Sequence, residues 1–326
     1  MKIVFVIIVS FAFISLQAQP PYKHFELKKL TPGVYAAIAK NGGYAICNAG
    51  IIDLGKELLV IDPFMTPQAA EELKSAIKTV FNKPVRYVVN SHFHNDHIRG
   101  NQVFSDATII STGMIRDLIS KNEPLEIKYE NEATPKALKA LKAEKKPNNQ
   151  WESEEYKLWA GYYEGIIKSH PVLKTTLPNL TFEDSLTIYG TNTTVQLLSY
   201  GDGHTASDVF LYLPREKIAF MGDLLFVQFH PWVGDSKIND WVNYLEKVKK
   251  LDIEKFIPGH GPVGNSQDVT SMINYLKSIE EIASQFKKED KPDDVAINAK
   301  LPATFAAWHG KRFFAFNVNY ARAQRK

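Results

Sequence analysis

Four apolar segments of the sequence lead into residues of the type that binds metal ions, and this pattern constrains the fold most strongly. The segments are 85–89 before His92, 194–200 before His204, 218–221 before Asp223, and 256–257 before His260. Glycines flank the last three of these polar residues, which lets the backbone turn closely there. Because open α/β sheets bind ligands at the carboxyl ends of their strands, we expect the four endings to surround one site.

The loop at residues 91–97 holds three histidines and one aspartate within six positions. His92 and His94 are two residues apart, so they project to the same side of an extended chain. Asp96 and His97 come where the chain turns and can face a second point. Imidazole nitrogen and carboxylate oxygen suit zinc, although manganese and iron accept similar ligands. The loop therefore predicts a metal site, with a cluster of surface histidines as the alternative.

The remaining pattern predicts a layered α/β fold. Predicted strands lie at 34–39, 44–47, 51–53, 58–62, 85–89, 186–189, 194–200, 209–213, 218–221 and 256–257. One helix is predicted to follow Thr66, which suits the N-cap, with Pro67 at its first position. Two further helices are predicted at 240–250 and at about 267–287. Strand, helix and strand in succession around residues 58–89 form a crossover unit, which is typical of α/β layers.

Residues 114–178 differ in character, and we interpret them as a helical insertion. A lysine-rich helical stretch covers 136–146, and prolines punctuate the region. Five aromatic residues recur mostly at three- and four-residue spacing: Trp151, Tyr156, Trp159, Tyr162 and Tyr163. Such a stripe packs the insertion onto the body or, alternatively, walls a substrate pocket. Residues 290–326 are expected to form a C-terminal extension of the same domain.

In order along the chain, the motifs His92-x-His94-x-Asp96-His97, Gly-His204-Thr, Gly222-Asp223 and Pro-Gly-His260-Gly resemble those of the metallo-β-lactamase superfamily. The resemblance covers about residues 30–265, less the insertion. It implies a four-layer αββα sandwich over residues 19–326, with the site at one edge between two sheets. Members with this full ligand set include glyoxalase II, lactonases and exported proteins associated with quinoprotein systems.

The resemblance also implies how the ligands divide between two metal ions, expected to be zinc. His92, His94 and His204 would bind the first ion, and Asp96, His97 and His260 the second. Asp223 would bridge both ions. A hydroxide shared by the ions would then attack a carbonyl group of an ester, lactone, thioester or cyclic amide, with Asp96 holding it in line. Thr205, Ser207 and backbone carbonyls near Asp62 and Asn90 are expected to support the ligands.

Two departures from the family pattern bear on the substrate. Many zinc β-lactamases have cysteine at the position of Asp223 and a lysine three residues later, where this chain has Phe226. β-Lactam hydrolysis is therefore the alternative function rather than the leading one.

Iron-dependent oxygen or sulfur chemistry on the same fold is a third possibility, which the full set of histidines disfavours. A binding module without catalysis would be expected to have lost ligands.

The segment after Asp223 is expected to approach the substrate. It contains Phe226, Phe229, His230 and Trp232, which we predict to line the substrate pocket. The substrate itself, a small molecule, and the oligomeric state are left open by the sequence.

The N-terminus predicts export. Lys2 precedes an apolar run that extends to Leu16, and Ala18 offers a cleavage point, so residues 1–18 are interpreted as a signal peptide. Cleavage would leave a periplasmic or secreted protein without stable membrane insertion. The net charge is only +3, which gives no support to a nucleic-acid-binding surface. The single cysteine, Cys47, excludes an intrachain disulfide and is expected to be a small buried residue.

Overall fold

The computed structural model describes residues 22–325, so the predicted signal peptide at 1–18 lies outside the described residues. The strands are β1 Phe25–Thr31, β2 Val34–Ala39, β3 Ala49–Asp53, β4 Leu58–Ile61, β5 Val85–Val89, β6 Thr108–Thr112, β7 Leu180–Phe182, β8 Ser185–Tyr189, β9 Thr194–Leu198, β10 Phe210–Leu213, β11 Ile218–Phe220 and β12 Lys255–Ile257. The helices are α1 Pro67–Val80, α2 Asn95–Ile98, α3 Gly113–Ala143, α4 Gln150–Ser169, α5 Ile238–Val248, α6 Ser266–Ala283, α7 Pro292–Asn298 and α8 Phe313–Gln324.

The strands form two mixed sheets. The first contains β1 to β7 in chain order, and the second has the order β12-β11-β10-β9-β8. Strands β4, β5, β6 and β7 run parallel to one another, and β11 runs parallel to β12, whereas the remaining neighbours are antiparallel. Parallel neighbours require crossover connections, and α1 and α5 lie in two of them. The strands β5, β11 and β12, which precede ligand-type residues, thus end at the edge where the site forms.

The two sheets pack face to face, with helices on both outer faces. Alternation along the strands produces these layers, because Ile52 points into the space between the sheets while its neighbour Ile51 faces helix α1. The outer face of the second sheet is covered by α5, α6 and α8. This arrangement is an αββα sandwich, and it confirms the fold that the motifs implied.

Several sequence predictions of strands need correction. Residues 44–47 were predicted to be a strand, but they form an irregular turn in which Ile46 has a φ of 68°. The apolar character of this segment reflects burial beneath α4 rather than strand pairing, because a Cβ at Gly165 of α4 would lie 3.3 Å from Cβ of Tyr44. The carbonyl of Tyr44 accepts from the hydroxyl of Thr66 instead of from a strand. Strands β1, β6 and β7 were missed. Strand β1 alternates charged and apolar residues at an exposed edge, and β7 has three residues only.

The insertion is helical, as expected, but its prolines do not divide it. Helix α3 runs through Pro124 and Pro135. An interior proline leaves one helical carbonyl without its partner, and here both prolines lie on the exposed side, where water can hydrate that carbonyl. Helix α4 begins after Asn149, whose side chain accepts from the backbone N–H of Glu152, and packs against α3.

The C-terminal residues complete the layer on the second sheet. Helix α8 packs against α6 and α7, and Arg322 donates to the backbone carbonyl of Lys287. Within residues 22–325, no helix combines the length and the apolar character needed to cross a membrane.

Candidate metal centre

The seven ligand-type residues come from four places in the fold that meet at one edge of the sandwich. His92 and His94 lie in the loop after β5, and Asp96 and His97 lie on the short helix α2. The other three residues follow strands of the second sheet, namely His204 after β9, Asp223 in a 3₁₀ turn after β11, and His260 after β12. The structure therefore brings together every residue that the motifs singled out as a metal ligand.

These side chains divide into two groups, each with its candidate ligand atoms within 4.8 Å of one another. The first group consists of His92, His94, His204 and Asp223, and the second of Asp96, His97 and His260. In the first group, Nε2 of His204 lies 3.0 Å from Nδ1 of His94. In the second, Nε2 of His260 lies 3.2 Å from Oδ2 of Asp96. Such convergence of nitrogen and oxygen donors from distant segments is the arrangement that a pair of metal ions requires.

Asp223 stands between the two groups. Its Oδ2 lies 3.5 Å from Nε2 of His204, whereas its Oδ1 lies 3.1 Å from Nε2 of His97. Gly259 allows this placement, because a Cβ at that position would lie 1.9 Å from Asp223 Oδ1. One carboxylate that offers a different oxygen to each group has the geometry of a bridging ligand.

Unpaired buried atoms test whether a metal suits the site. Nε2 of His92, Nε2 of His97 and Oδ1 of Asp223 are buried without a hydrogen-bond partner in the structure. Buried polar atoms are normally satisfied, so three such atoms aimed at one small volume need an explanation. Coordination of metal ions would satisfy all three, and imidazole with carboxylate is a donor set typical of zinc. The residues present therefore fit the metals that the family implies.

The charge states of two histidines and of Asp223 suit metal binding, whereas neighbouring acidic groups outweigh burial and raise the pKa values of His94, His97 and His260, so a metal ion would displace protons from these three rings. Burial lowers the pKa of His204 to about 3 and places that of His92 well below its usual value. Both rings are thus neutral near pH 7 and keep a lone pair for a metal. Burial alone would raise the pKa of Asp223, but His260 and His97 hold it well below its usual value. Asp223 is therefore an anion, which is the form that bridges cations.

Two polar side chains orient rings of the histidine loop. Oδ2 of Asp62 lies 2.9 Å from Nδ1 of His97, and Oδ1 of the same carboxylate accepts from the backbone N–H of Ser91 at 2.8 Å. The hydroxyl of Ser91 lies 2.9 Å from Nδ1 of His92. Both rings thereby turn Nε2 toward the site. The sequence suggested a backbone carbonyl near Asp62, but the side-chain carboxylate is the group that contacts His97.

The ring of His94 is turned the other way round from those of His92 and His97. Its Nε2 lies 3.0 Å from Oδ2 of Asp235, so Nδ1 faces the site. Asp235, in the segment between β11 and α5, also accepts from Nε1 of Trp232 at 3.4 Å. Sequence reasoning missed Asp235, although the segment that carries it was expected to approach the site.

The loop around His204 is shaped by a buried carboxylate. Asp208 accepts from the backbone N–H of Thr205 at 2.8 Å, and burial raises the pKa of Asp208 to about 8. Thr205 donates its hydroxyl proton to the carbonyl of Ser207, and the hydroxyl of Ser207 lies 2.8 Å from Oγ1 of Thr112. Thr205 and Ser207 thus fix the loop and do not bind a ligand ring. Asn90 acts through its side-chain amide rather than its backbone carbonyl, and it donates to Oδ1 of Asn101 at 3.0 Å and to the backbone carbonyl of His97 at 3.3 Å.

A cavity of about 770 Å³ opens beside the two groups. The residues that line it are Ile46, Phe93, His94, Asn95, Asp96, Asn122, Glu126, Tyr129, Leu158, Trp159, Tyr162, Tyr163, Asp223, Phe226, Phe229, Trp232, Asp235, His260, Arg312 and Phe313. Slightly more than half are aromatic or aliphatic, and the polar lining residues outside the ligand groups include Asn122, Glu126 and Arg312. The insertion supplies one wall, and its aromatic residues Trp159, Tyr162 and Tyr163 lie there, in agreement with the interpretation that they wall a substrate pocket.

Three of the four predicted pocket residues line this cavity, namely Phe226, Phe229 and Trp232. The prediction for His230 is wrong, because this ring is fully buried and is not part of the lining. Its Nδ1 lies 2.9 Å from the hydroxyl of Tyr275, and Trp308 packs against it. Neighbouring residues of an extended segment point to opposite sides, which sends Phe229 to the cavity and His230 to the core.

A buried polar network ties the insertion to the histidine loop. Asn95, between two candidate ligands, donates to Glu126 at 2.7 Å and to Glu130 at 2.9 Å, both on α3. Arg99 binds Glu123 and Glu130 at 2.7 and 2.8 Å, with all three side chains nearly fully buried. The helix that walls the cavity therefore also holds the loop that carries four of the candidate ligands.

Comparison with known proteins identifies the family. A model of the metallo-beta-lactamase superfamily matches residues 42–260, which is more than half of the chain. The chain belongs to this superfamily. The match begins within the first sheet and ends at His260, so it includes every residue of the two candidate ligand groups.

Individual relatives within the superfamily are distant. The linear primary-alkylsulfatase of a Pseudomonas species is 22% identical over 79% of this chain, which spans only 51% of the relative. The type 2 metallo-beta-lactamase of Bacillus cereus is 23% identical over 75% of this chain and 78% of its own length. A solved metallo-beta-lactamase from Pontibacter korlensis superposes with a TM-score of 0.58 at 18% identity, covering 78% of this chain and 99% of the other. The family match therefore identifies the chain as a member of a hydrolase superfamily with this fold. The names of the relatives differ in the substrate that they indicate.

Proposed function

We propose that the protein is an exported, zinc-dependent hydrolase that attacks the carbonyl group of an ester, lactone, thioester or cyclic amide. The observation that carries the proposal is the pair of ligand groups joined by the two oxygens of Asp223. Two divalent ions at such a site lower the pKa of a bound water toward about 7 and polarise a carbonyl oxygen.

The roles of the residues follow from their places. His92, His94 and His204 would hold one ion, and Asp96, His97 and His260 the other, with Asp223 shared. Asp96 and His260 of the second group line the cavity, and Asp96 is the carboxylate of the two, so it can accept a proton from the attacking water. The aromatic and aliphatic walls would limit the water around the reacting atoms once a substrate fills the cavity, which strengthens electrostatic interactions there.

The proposal is tested with purified protein and a panel of a 4-nitrophenyl ester, a lactone and a thioester. We expect about two zinc ions per chain by elemental analysis and hydrolysis of at least one panel member. Asp223→Asn is expected to lower kcat/KM by at least about 100-fold, since residues behind metal ligands already contribute about 10–100-fold. The matched control Asp117→Asn, an exposed aspartate on α3, is expected to leave kcat/KM unchanged. Full activity in His94→Ala would refute the proposal.

β-Lactam hydrolysis is the second candidate, favoured by the relative from Bacillus cereus. Phe226 packs its ring 5.1 Å from that of His260, so this wall offers an aromatic surface where many zinc β-lactamases place a lysine. Nitrocefin turnover above the buffer rate would support this candidate. A primary alkyl sulfate belongs in the same panel, because an alkylsulfatase is also among the relatives.

Metal identity and export are proposed on sequence grounds. Zinc is proposed because imidazole and carboxylate ligands suit it, and elemental analysis decides between zinc and manganese or iron, which accept the same ligands. Elemental analysis that finds iron and no zinc would favour oxygen or sulfur chemistry instead. Cleavage after residue 18 would be detected by mass spectrometry of the protein recovered from the periplasm or medium.

A further inference from the structure

A row of aromatic rings leads along the cavity wall away from the metal centre. It starts beside His94, where Asp235 contacts Trp232. The rings of Trp232 and Phe313 have centroids 5.6 Å apart, and those of Phe313 and Trp159 are 5.4 Å apart. A substrate that reacts at the metal centre can therefore extend an apolar body along this wall.

Arg312 lies where the row ends. The carbon at the centre of its guanidinium group lies 3.9 Å from the centroid of the Trp159 ring, and NH1 donates to the hydroxyl of Tyr163 at 3.1 Å. Contact with an aromatic face favours a cation, and it fixes the plane of the guanidinium group. A guanidinium group has five N–H donors, and among residues 22–325 only this one hydrogen bond engages them; Arg312 is exposed, so its other donors face solvent at the mouth of the cavity, where a ligand can reach them.

The charges of the cavity make Arg312 exceptional. It is the single lysine or arginine among the residues that line the cavity. Two carboxylates outside the ligand groups also line it, but Glu126 already accepts from Asn95, and Asp235 is engaged by His94. Within the described part of the chain, no carboxylate oxygen lies within 4.0 Å of Arg312, whereas the buried Arg99 has two such partners. A cation held by neutral groups at the end of an apolar wall is suited to an anionic ligand.

We propose that Arg312 binds an anionic group, such as a carboxylate, at the end of the substrate remote from the scissile bond. The substrate class is then an amphipathic anion with an apolar or aromatic body. This inference rests on the proposed function, because it assumes that the substrate of the metal centre binds in the same cavity. A merely structural Arg312, stacked on Trp159 to hold α8 against the insertion, would stabilise the fold without discriminating between charged and neutral ligands.

Equilibrium binding separates these two roles without requiring turnover. Isothermal titration calorimetry on the zinc-loaded full chain compares 4-phenylbutyrate with its neutral analogue 4-phenylbutyramide. We expect the acid to bind more tightly than the amide, and Arg312→Gln to weaken binding of the acid by about tenfold, or about 1.4 kcal/mol, because Arg312 is exposed and water competes for the contact. The affinity for the amide should stay within about twofold. Arg312→Lys should retain part of the preference, since it keeps the charge and loses the planar contacts.

Lys311→Gln is the matched control, because this exposed neighbour carries the same charge and does not line the cavity. It should leave both affinities unchanged. Equal weakening of acid and amide in Arg312→Gln would overturn the proposal in favour of a structural role. An acid that binds no better than the amide, or whose affinity does not depend on Arg312, would overturn it as well. Absence of hydrolysis with the acid preference intact would refute the proposed function alone.

Discussion

Replacing Asp62 with asparagine should weaken one metal site and spare the other. The carboxylate is 2% exposed and contacts His97 through Oδ2, while Oδ1 accepts from the backbone of Ser91. Asparagine tolerates the positive φ of 53° at this position and can still accept from Ser91, so the loop should keep its path. It cannot provide the negative charge that steadies His97 when Nε2 of the ring faces a cation.

The expected magnitude follows from this contact. Loss of a carboxylate behind a histidine ligand costs about 10–100-fold in metal affinity, or about 1.4–2.7 kcal/mol. Asp235→Asn is the matched variant for the other ion, because Asp235 contacts His94. Its side chain is 45% exposed, so solvent screens the contact and the loss should be smaller.

Competition with a chelator of known affinity, followed by elemental analysis, measures both effects. At limiting free zinc, Asp62→Asn should retain about one ion per chain while the wild type retains two. Asp235→Asn should lie between them. If Asp62→Asn keeps two ions with wild-type affinity, the carboxylate does not orient His97 and the reasoning is refuted.

Three further predictions concern stability. Glu123→Ala should lower the free energy of unfolding by about 1.5–3 kcal/mol, because the buried Arg99 loses its hydrogen bond to Glu123 but keeps its ion pair with Glu130; a loss below about 0.5 kcal/mol in urea denaturation would contradict this. Burial lowers the pKa of His230 to about 4, below the value of about 6.5 in an unfolded chain. The neutral buried ring therefore contributes fully to the free energy of unfolding above about pH 6.5, and this contribution is lost as the pH falls because the unfolded chain binds the proton first. Between pH 7 and 5, His230→Gln should therefore lose about 2 kcal/mol less than the wild type, and identical pH profiles would refute this. Thr66→Ala should cost about 1 kcal/mol by removing the N-cap of α1, whereas the exposed Thr79→Ala should cost little, as thermal unfolding would show.

The ligand positions were predictable because each follows a strand that the sequence marks clearly. The apolar run at 218–221 is fully buried, and the run at 85–89 is buried at its end, where it leads into the histidine loop. The residues after these runs meet because the strand ends share one edge of the sandwich. Helix α1 was similarly marked by its cap, its first-turn proline and its apolar spacing. These signals are local, so they can be read without knowing which segments become neighbours.

The residues that sequence reasoning missed act through contacts between distant segments. Asp235 contacts His94 across 141 positions, and Arg312 contacts Tyr163 across 149. Nothing in the residues around Arg312 indicates that an aromatic ring from the insertion will lie beneath it. His230 shows the converse, since a histidine in the right segment was expected in the cavity, and the alternation of the chain turned it into the core.

Anomalous diffraction at the zinc edge tests the central claim most directly, because it locates the ions without reference to activity. Crystals of the zinc-loaded protein should show two peaks per chain. One peak should lie among His92, His94 and His204, the other among Asp96, His97 and His260, with one oxygen of Asp223 facing each. A single peak, or peaks from which Asp223 points away, would contradict the two-ion site and the hydrolytic role built on it.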